Sequence, residues 1–318
     1  MNLLSFIFNS RIMKKFICNL IIFSFFSFFI YVALLFVWGN YFPRKPKSNL
    51  EYPIGSEGHL YSRLKEAKTV SNVDILFLGS SHAIRGFNTR DLNEVGYNSF
   101  NLGSKAATPL QVLTLLNRYL DQLNPKIVVY EVFPPTLELD GVEGSLHLLA
   151  NDVIDKHSFE LAFKQNHLKT YNTLFYGTIM ELLNQNNNFK EDSIKGKDQY
   201  FKCGYVERKD FWSPKLLKTH QIEINQDQLD RFEAIVKILK SRNIKVVLVF
   251  APISSSMYSS YSNISHFDSL MSSYSNYNNF NEMMNLNDSL HFYDSHHLNK
   301  VGVDEFTPKL IEMLKTLN

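Results

Sequence analysis

Residues 74–79, Asp-Ile-Leu-Phe-Leu-Gly, followed at once by Ser80-Ser81-His82, decide the fold. The apolar run is too short for a helix of its own and ends on glycine, so it reads as a buried strand with a serine at its tip. A serine there is a poor nucleophile until a base takes its proton, and the base needs an acceptor to hold its tautomer. More than 200 residues downstream, directly after His291-Phe292-Tyr293, stands Asp294-Ser295-His296-His297-Leu298-Asn299. The Asp-x-x-His spacing brings Asp294 and His297 to one side of a single turn, where they supply both functions. The chain order Ser…Asp…His points to a serine hydrolase or acyltransferase.

Outward from this strand, residues 99–102, 127–132 (IVVYEV), 245–250 (KVVLVF) and 290–293 read as further strands. Helical spacing of apolar residues predicts helices over 109–123, 227–243 and 307–317. Strands alternating with helices, several of them apolar throughout, indicate an α/β fold whose parallel sheet is covered on both faces. Sites in such sheets lie beyond the carboxyl ends of the strands, where Gly79-Ser80-Ser81 and Asp294 are both expected. Residues 136–225 do not fit the alternation and read as a cap or substrate-binding insertion. They hold helix-like pieces at 159–163 and 174–183, the polar run 184–188 and few strand signals. Residues 254–281, rich in Ser, Tyr and Asn, are a second candidate for a mobile rim.

The N-terminal region carries a different signal. Residues 16–38, FICNLIIFSFFSFFIYVALLFVW, contain no charged side chain. At about 1.5 Å per residue this run is long enough to cross a hydrocarbon core of roughly 30 Å. Tyr31, Trp38 and Tyr41 lie in its second half or just beyond, as expected at a membrane interface. The run exceeds a typical signal-peptide core and no small-x-small cleavage site follows, so an uncleaved single-pass anchor is expected. Arg11, Lys14 and Lys15 precede it and Arg44, Lys45 and Lys47 follow, so charge leaves its orientation open. The expected organisation is a short N-terminal segment (1–15), the anchor (16–38), a stem (39–72) marked by Pro43, Pro46 and Pro53, and the α/β domain (73–318). A net charge of +2, with no basic cluster interleaved with aromatics, gives no nucleic-acid footprint. Cys18 lies in the anchor and Cys203 is alone in the rest, so no intradomain disulfide is expected.

The two motifs resemble those of the SGNH (GDSL-like) hydrolases. That resemblance implies a three-layer α/β/α sandwich with a flavodoxin-like parallel sheet. The family's Gly-Asp-Ser block looks like Gly79-Ser80-Ser81, which makes Ser81 the matching nucleophile. Its Asp-x-x-His-Leu-Asn block, followed by a glycine, is similar to Asp294, His297, Leu298, Asn299 and Gly302, with His297 as base and Asp294 orienting it. A block of the form Asn-x-x-x-x-Gly-x-Thr resembles residues 101–108 (NLGSKAAT), with Ala106 in place of the oxyanion glycine. The backbone N–H of Ala106 would join that of Ser81 in an oxyanion hole, while Gly103 eases the turn. The family's Gly-x-Asn-Asp block is replaced by Glu131-Val132-Phe133-Pro134-Pro135. Losing one oxyanion donor costs about 10²–10³ in turnover where an enzyme relies on it.

A serine at the second position of the first block, the anchor and the insertion look most like one branch of the superfamily. Its members are membrane-anchored and act beside membrane-bound O-acyltransferases on cell-envelope polymers, as the D-alanyl transfer protein of teichoic acid modification does. The resemblance implies a domain outside the cytoplasmic membrane, acyl-ester hydrolysis or transfer on an acylated envelope glycan, an O-acyltransferase partner, and no metal or organic cofactor. Neighbouring side chains carry weaker signals. His82 lines the site mouth or caps the following helix, Arg85 binds an anionic substrate or lies on that helix, and Glu131 replaces a polar catalytic group or pairs with a neighbour. His291 and His296 with Asp294 match no standard zinc spacing. The aromatics Phe159, Phe163, Tyr171, Phe175 and Tyr176 read as core rather than as a sugar platform. Two other classes stay open: an inactive binding or scaffold subunit, and a membrane-bound lipid esterase whose mark would be an apolar insertion facing the site.

Overall fold

All four side chains of the opening strand are buried, two on each face, which is possible only in a sheet covered on both sides. The structure, a computed structural model, describes residues 11–42, 48–56 and 58–317. Pro43, Arg44, Lys45, Pro46 and Lys47, which mark the stem and the charge count, lie outside the described residues, as do residues 1–10 of the N-terminal segment. In chain order the strands are β1 (Ile75–Leu78), β2 (Ser99–Asn101), β3 (Ile127–Glu131), β4 (Ile194–Lys195), β5 (Asp198–Phe201), β6 (Tyr205–Arg208), β7 (Lys245–Phe250) and β8 (Asn276–Asn279). Five of them form one sheet in the order β2-β1-β3-β7-β8, with every pairing parallel. This is the doubly wound order of flavodoxin-like α/β proteins.

Alternate strand residues feed two cores. Leu76, Leu78, Val128, Tyr130, Val246 and Leu248 face the Pro109–Leu123 and Gln226–Ser241 helices. Ile75, Phe77, Val129, Val247 and Val249 face the other way, against Ala83 and Phe87 and against Val303, Phe306 and Leu310 of the Lys300–Lys315 helix. The result is a three-layer α/β/α arrangement. The Pro109–Leu123 helix starts where its sequence says it should: Thr108 and Gln111 form a capping box and Pro109 fills the first turn.

Several sequence expectations are revised. The strand expected at 290–293 does not form. Asp288–His291 is a helical turn capped by Asn287, and Phe292 alone pairs, antiparallel, with Leu298. The fifth strand is β8, inside the stretch read as a rim. Its sequence, Asn-Tyr-Asn-Asn, lacks an apolar run because it is the sheet edge and stays largely uncovered. The closing helix begins at Lys300, seven residues before the expected start, because Asn299 caps it by accepting the Gly302 N–H.

Residues 136–225, read as a cap or insertion, contain helices Val142–Asn151, Lys156–Gln165 and Leu168–Leu182, and a small antiparallel sheet β4-β5-β6. Within the stretch read as a stem, the Leu60–Ala67 helix packs into the first core through Leu60, Leu64 and Ala67. Its fully buried Arg63 donates to the carbonyls of Gly103 and Gly204.

The N-terminal helix runs over Arg11–Tyr41, and an 18-residue stretch within Met13–Tyr41 reaches a mean hydropathy of 2.7. By length and composition it can cross a membrane, a property that anchors and signal sequences share. The helix also touches the insertion. Tyr31 Oη donates to Asn172 Oδ1 at 2.6 Å, Phe28 meets Phe175 edge to face, and Leu35 packs with Leu50 and Tyr176.

Candidate active site

Ser81 is the first residue of the Ser81–Gly86 helix, at the carboxyl end of β1. The turn that presents it is tight for stated reasons. Gly79 has φ +137°, and a Cβ there would lie 2.8 Å from the Glu131 Cβ. Only glycine fits both conditions. Ser80 caps the helix, its Oγ accepting the His82 N–H at 3.3 Å. From β3 below, Glu131 Oε2 accepts the Ser80 N–H at 3.4 Å and the Ser80 hydroxyl at 3.1 Å. Asn101, at the end of β2, holds the same helix by donating to the carbonyls of Ala83 and Phe87.

The second motif holds its own loop. Asn299 Nδ2 donates to the Leu290 and Asp210 carbonyls at 2.8 and 2.9 Å. Leu298 is buried in the second core. Gly302 lets the loop close onto the helix, since a Cβ there would sit 2.2 Å from the His291 carbonyl oxygen. After β7, Ser254 Oγ donates to the Ser295 carbonyl at 2.6 Å. Two strand ends and one helix start therefore fix the loop's position.

That position brings the two motifs together. His297 Nε2 lies 2.8 Å from Ser81 Oγ, and His297 Nδ1 lies 2.8 Å from Asp294 Oδ2. Asp294 Oδ1 accepts the backbone N–H groups of His296 and His297. With Nδ1–H donated to the carboxylate, the Nε2 lone pair faces the serine hydroxyl. Burial alone would raise the Asp294 pKa, but the hydrogen bond and charge of His297 hold its carboxyl far below the usual carboxylate range. Burial pushes His297 below its ordinary value, with Asp294 opposing, so the imidazole is neutral near pH 7. His296 is pushed down to about 4, first by burial and then by the charge of His297.

The remaining sequence candidates fall in several places. Ala106 sits on the loop after β2 with φ +52°, a left-handed conformation that glycine takes without steric cost. Gly103 lies under the Ser81–Gly86 helix, where a Cβ would meet Ala83 and Ile84 at 2.9 Å. Arg85 is buried and does not offer its guanidinium to a ligand: Nη1 and Nη2 bind Asp198 at 3.0 and 2.8 Å. Glu131 is fully buried beneath Ser80, and burial raises its carboxyl to about 8. His82 is buried against the Phe133 ring, with the His297 ring also close by.

Sequence reasoning missed Tyr293, Phe133, Asp198 and Arg208. Only Tyr293 had a signal, its adjacency to Asp294; Asp198 and Arg208 come from strands of the insertion. Among the described residues, His82, His296 and His297 each offer a ring nitrogen within 4.8 Å of the others. His291 does not join them, because its Nδ1 accepts the Asn287 N–H.

Among solved structures, a GDSL-like lipase from Bacteroides thetaiotaomicron is similar to this chain at 10% identity and a TM-score of 0.42, covering 81% of this chain and 98% of its own. A structure of TesA is similar at 13% identity and a TM-score of 0.38, covering 77% of this chain and 99% of its own. No protein-family model matches the sequence. No curated protein matches it either.

Proposed function

We propose that the chain is a serine-dependent acyl-ester hydrolase or O-acyltransferase of SGNH type. The observation that carries this reading is the hydrogen-bonded order Asp294–His297–Ser81, with 2.8 Å at each link. Ser81 Oγ attacks the acyl carbonyl while its proton passes to His297 Nε2, and Asp294 stabilises the imidazolium. The N–H groups of Ser81, free at the helix start, and of Ala106 receive the oxyanion. His297 returns the proton to the departing alcohol, leaving an acyl-serine. Water or a carbohydrate hydroxyl then attacks that ester, losing its proton to His297, and Ser81 is restored.

The long apolar helix supports a substrate at the membrane, and the resemblance of the motifs supports an acylated cell-envelope glycan on the extracytoplasmic face. On this reading a membrane-bound O-acyltransferase is the partner that supplies the acyl group. The decisive experiment is labelling of the full-length protein by a fluorophosphonate probe, with Ser81→Ala and His297→Ala alongside. Labelling of the wild type alone supports an activated serine. Absence of labelling in a folded wild type supports the scaffold reading, which the missing third-block asparagine favours. A deletion strain with unchanged envelope ester content would count against the glycan substrate.

A further inference from the structure

We propose that His82, His296 and His297 form a binding site for one divalent transition-metal ion of the zinc type. The inference starts from an unpaired atom. His82 Nε2 is buried and has no hydrogen-bond partner among the described residues, and His82 is only 4% exposed. A buried ring nitrogen left unpaired is costly, and native structures ordinarily supply it with a partner. Its ring lies 4.8 Å from that of His297 and 5.4 Å from that of His296, which in turn lie 4.2 Å apart. One nitrogen from each residue falls within 4.8 Å of the other two.

Three imidazoles with a fourth position left open is a donor set that zinc adopts. Nitrogen donors of this kind select zinc, copper or nickel over magnesium and calcium, which take oxygen ligands. At zinc–nitrogen distances of about 2.0–2.1 Å, tetrahedral geometry needs the nitrogens about 3.4 Å apart. The widest pair must therefore close by at most about 1.4 Å. His296 is the ring able to do this, because its side chain is 33% exposed and stands on a loop. Its Nδ1 shares a hydrogen bond with Ser295 Oγ at 3.0 Å, which leaves Nε2 as the donor. His82, packed on Phe133, is the fixed member.

Occupation has a direct consequence for Ser81. His297 Nε2 has one lone pair, which either accepts the serine proton or binds the ion. The step is coordination alone: the Ser81–His297 hydrogen bond breaks and a metal–nitrogen bond forms, with no change of oxidation state. The ion is thus an inhibitor of the relay. This consequence rests on the hydrolase reading, whereas the binding itself does not.

The test is calorimetric titration of zinc chloride into the full-length protein in detergent, in a non-chelating buffer. Wild type, Ser81→Ala, His296→Gln and His82→Gln are compared, with circular dichroism melts to confirm folding. One equivalent is expected in wild type and in Ser81→Ala, and affinity weaker by more than about tenfold in His296→Gln. His82→Gln is expected to follow if it folds, and His296→Gln, on the exposed loop, decides the matter if it does not. No such equivalent in folded wild type, or an undiminished one in His296→Gln, overturns the site. Fluorophosphonate labelling that persists at saturating zinc overturns the blocking role. Failure of the hydrolase reading is separable, because it shows as absent labelling without zinc, while binding is read in Ser81→Ala regardless of turnover.

Discussion

The ring of Tyr293 lies parallel to that of His297, with the planes 1° apart and the centroids 5.2 Å apart. Two guanidinium groups also lie over the Tyr293 ring, Arg85 at 5.1 Å and Arg208 at 4.5 Å from its centroid. Arg85 is held in turn by Asp198 of β5. Residues 136–225 therefore support the His297 ring through one aromatic ring, and they do so without a hydrogen bond to the imidazole. Offset stacking and cation–π contacts each contribute about 0.5–2 kcal/mol, enough to favour one ring orientation.

Breaking this support separates stability from turnover. Asp198→Ala leaves Arg85 buried without its bidentate partner and is expected to cost about 3–5 kcal/mol, read from denaturant midpoints. Tyr293→Leu keeps an apolar body behind His297 but not its stacking partner. Its labelling rate is expected to fall between about 10- and 100-fold while the fold persists. An unchanged rate would show that Asp294 alone orients the base.

Glu131 makes stability depend on pH. Its carboxyl is raised from 4.5 to about 8 by burial, so the folded chain holds a proton that the unfolded chain releases between those values. Stability from this group is full below pH 4.5 and falls as pH rises towards 8, by on the order of a few kcal/mol. Glu131→Gln mimics the protonated acid and removes that slope. The two proteins are expected to match near pH 5, with the variant more stable at pH 8.5. A pH-independent difference between their unfolding free energies would contradict this.

Ala106 occupies a left-handed conformation that costs roughly 1–2 kcal/mol for a residue with a Cβ. Ala106→Gly removes the strain and keeps the N–H, at a cost in unfolded-chain entropy of up to about 1 kcal/mol. The variant is expected to melt no lower than wild type and to label at a similar rate. A clear loss of stability would show that the backbone there is not strained.

Ser81→Ala and His297→Ala are each expected to reduce turnover by at least about 10³, and the double variant by no more than the worse single one. Groups acting as one relay are not additive. Steady-state hydrolysis of a simple activated ester by the three proteins checks this, and additive losses would separate the two residues mechanistically.

Much of this arrangement was legible in the residues themselves. The fully apolar β1 could only be a covered strand, and each member of the Asp294–Gly302 motif has a local task that its chemistry announces. The failures share a cause. β8 is polar because it is an edge, so apolar periodicity could not find it, and of 290–293 only Phe292 is buried in the core while Leu290 is exposed. Arg85 read as a substrate ligand or a residue of the following helix, and its ion pair was hidden because the partner lies 113 residues away, on a strand with no strong signal.

By itself, then, the sequence determined the layered α/β core, the apolar N-terminal helix and the serine, aspartate and histidine with their local turns. These follow from periodicity, glycine conformation and capping, which act over a few residues. Only the tertiary structure decided that His297 reaches Ser81, that Tyr293 packs against both arginines and the histidine, and that the His82 imidazole stands beside them with its Nε2 unpaired among the described residues. Those relationships depend on how separate loops pack beyond the carboxyl ends of the strands, and that packing is set by the whole core rather than by any segment of it.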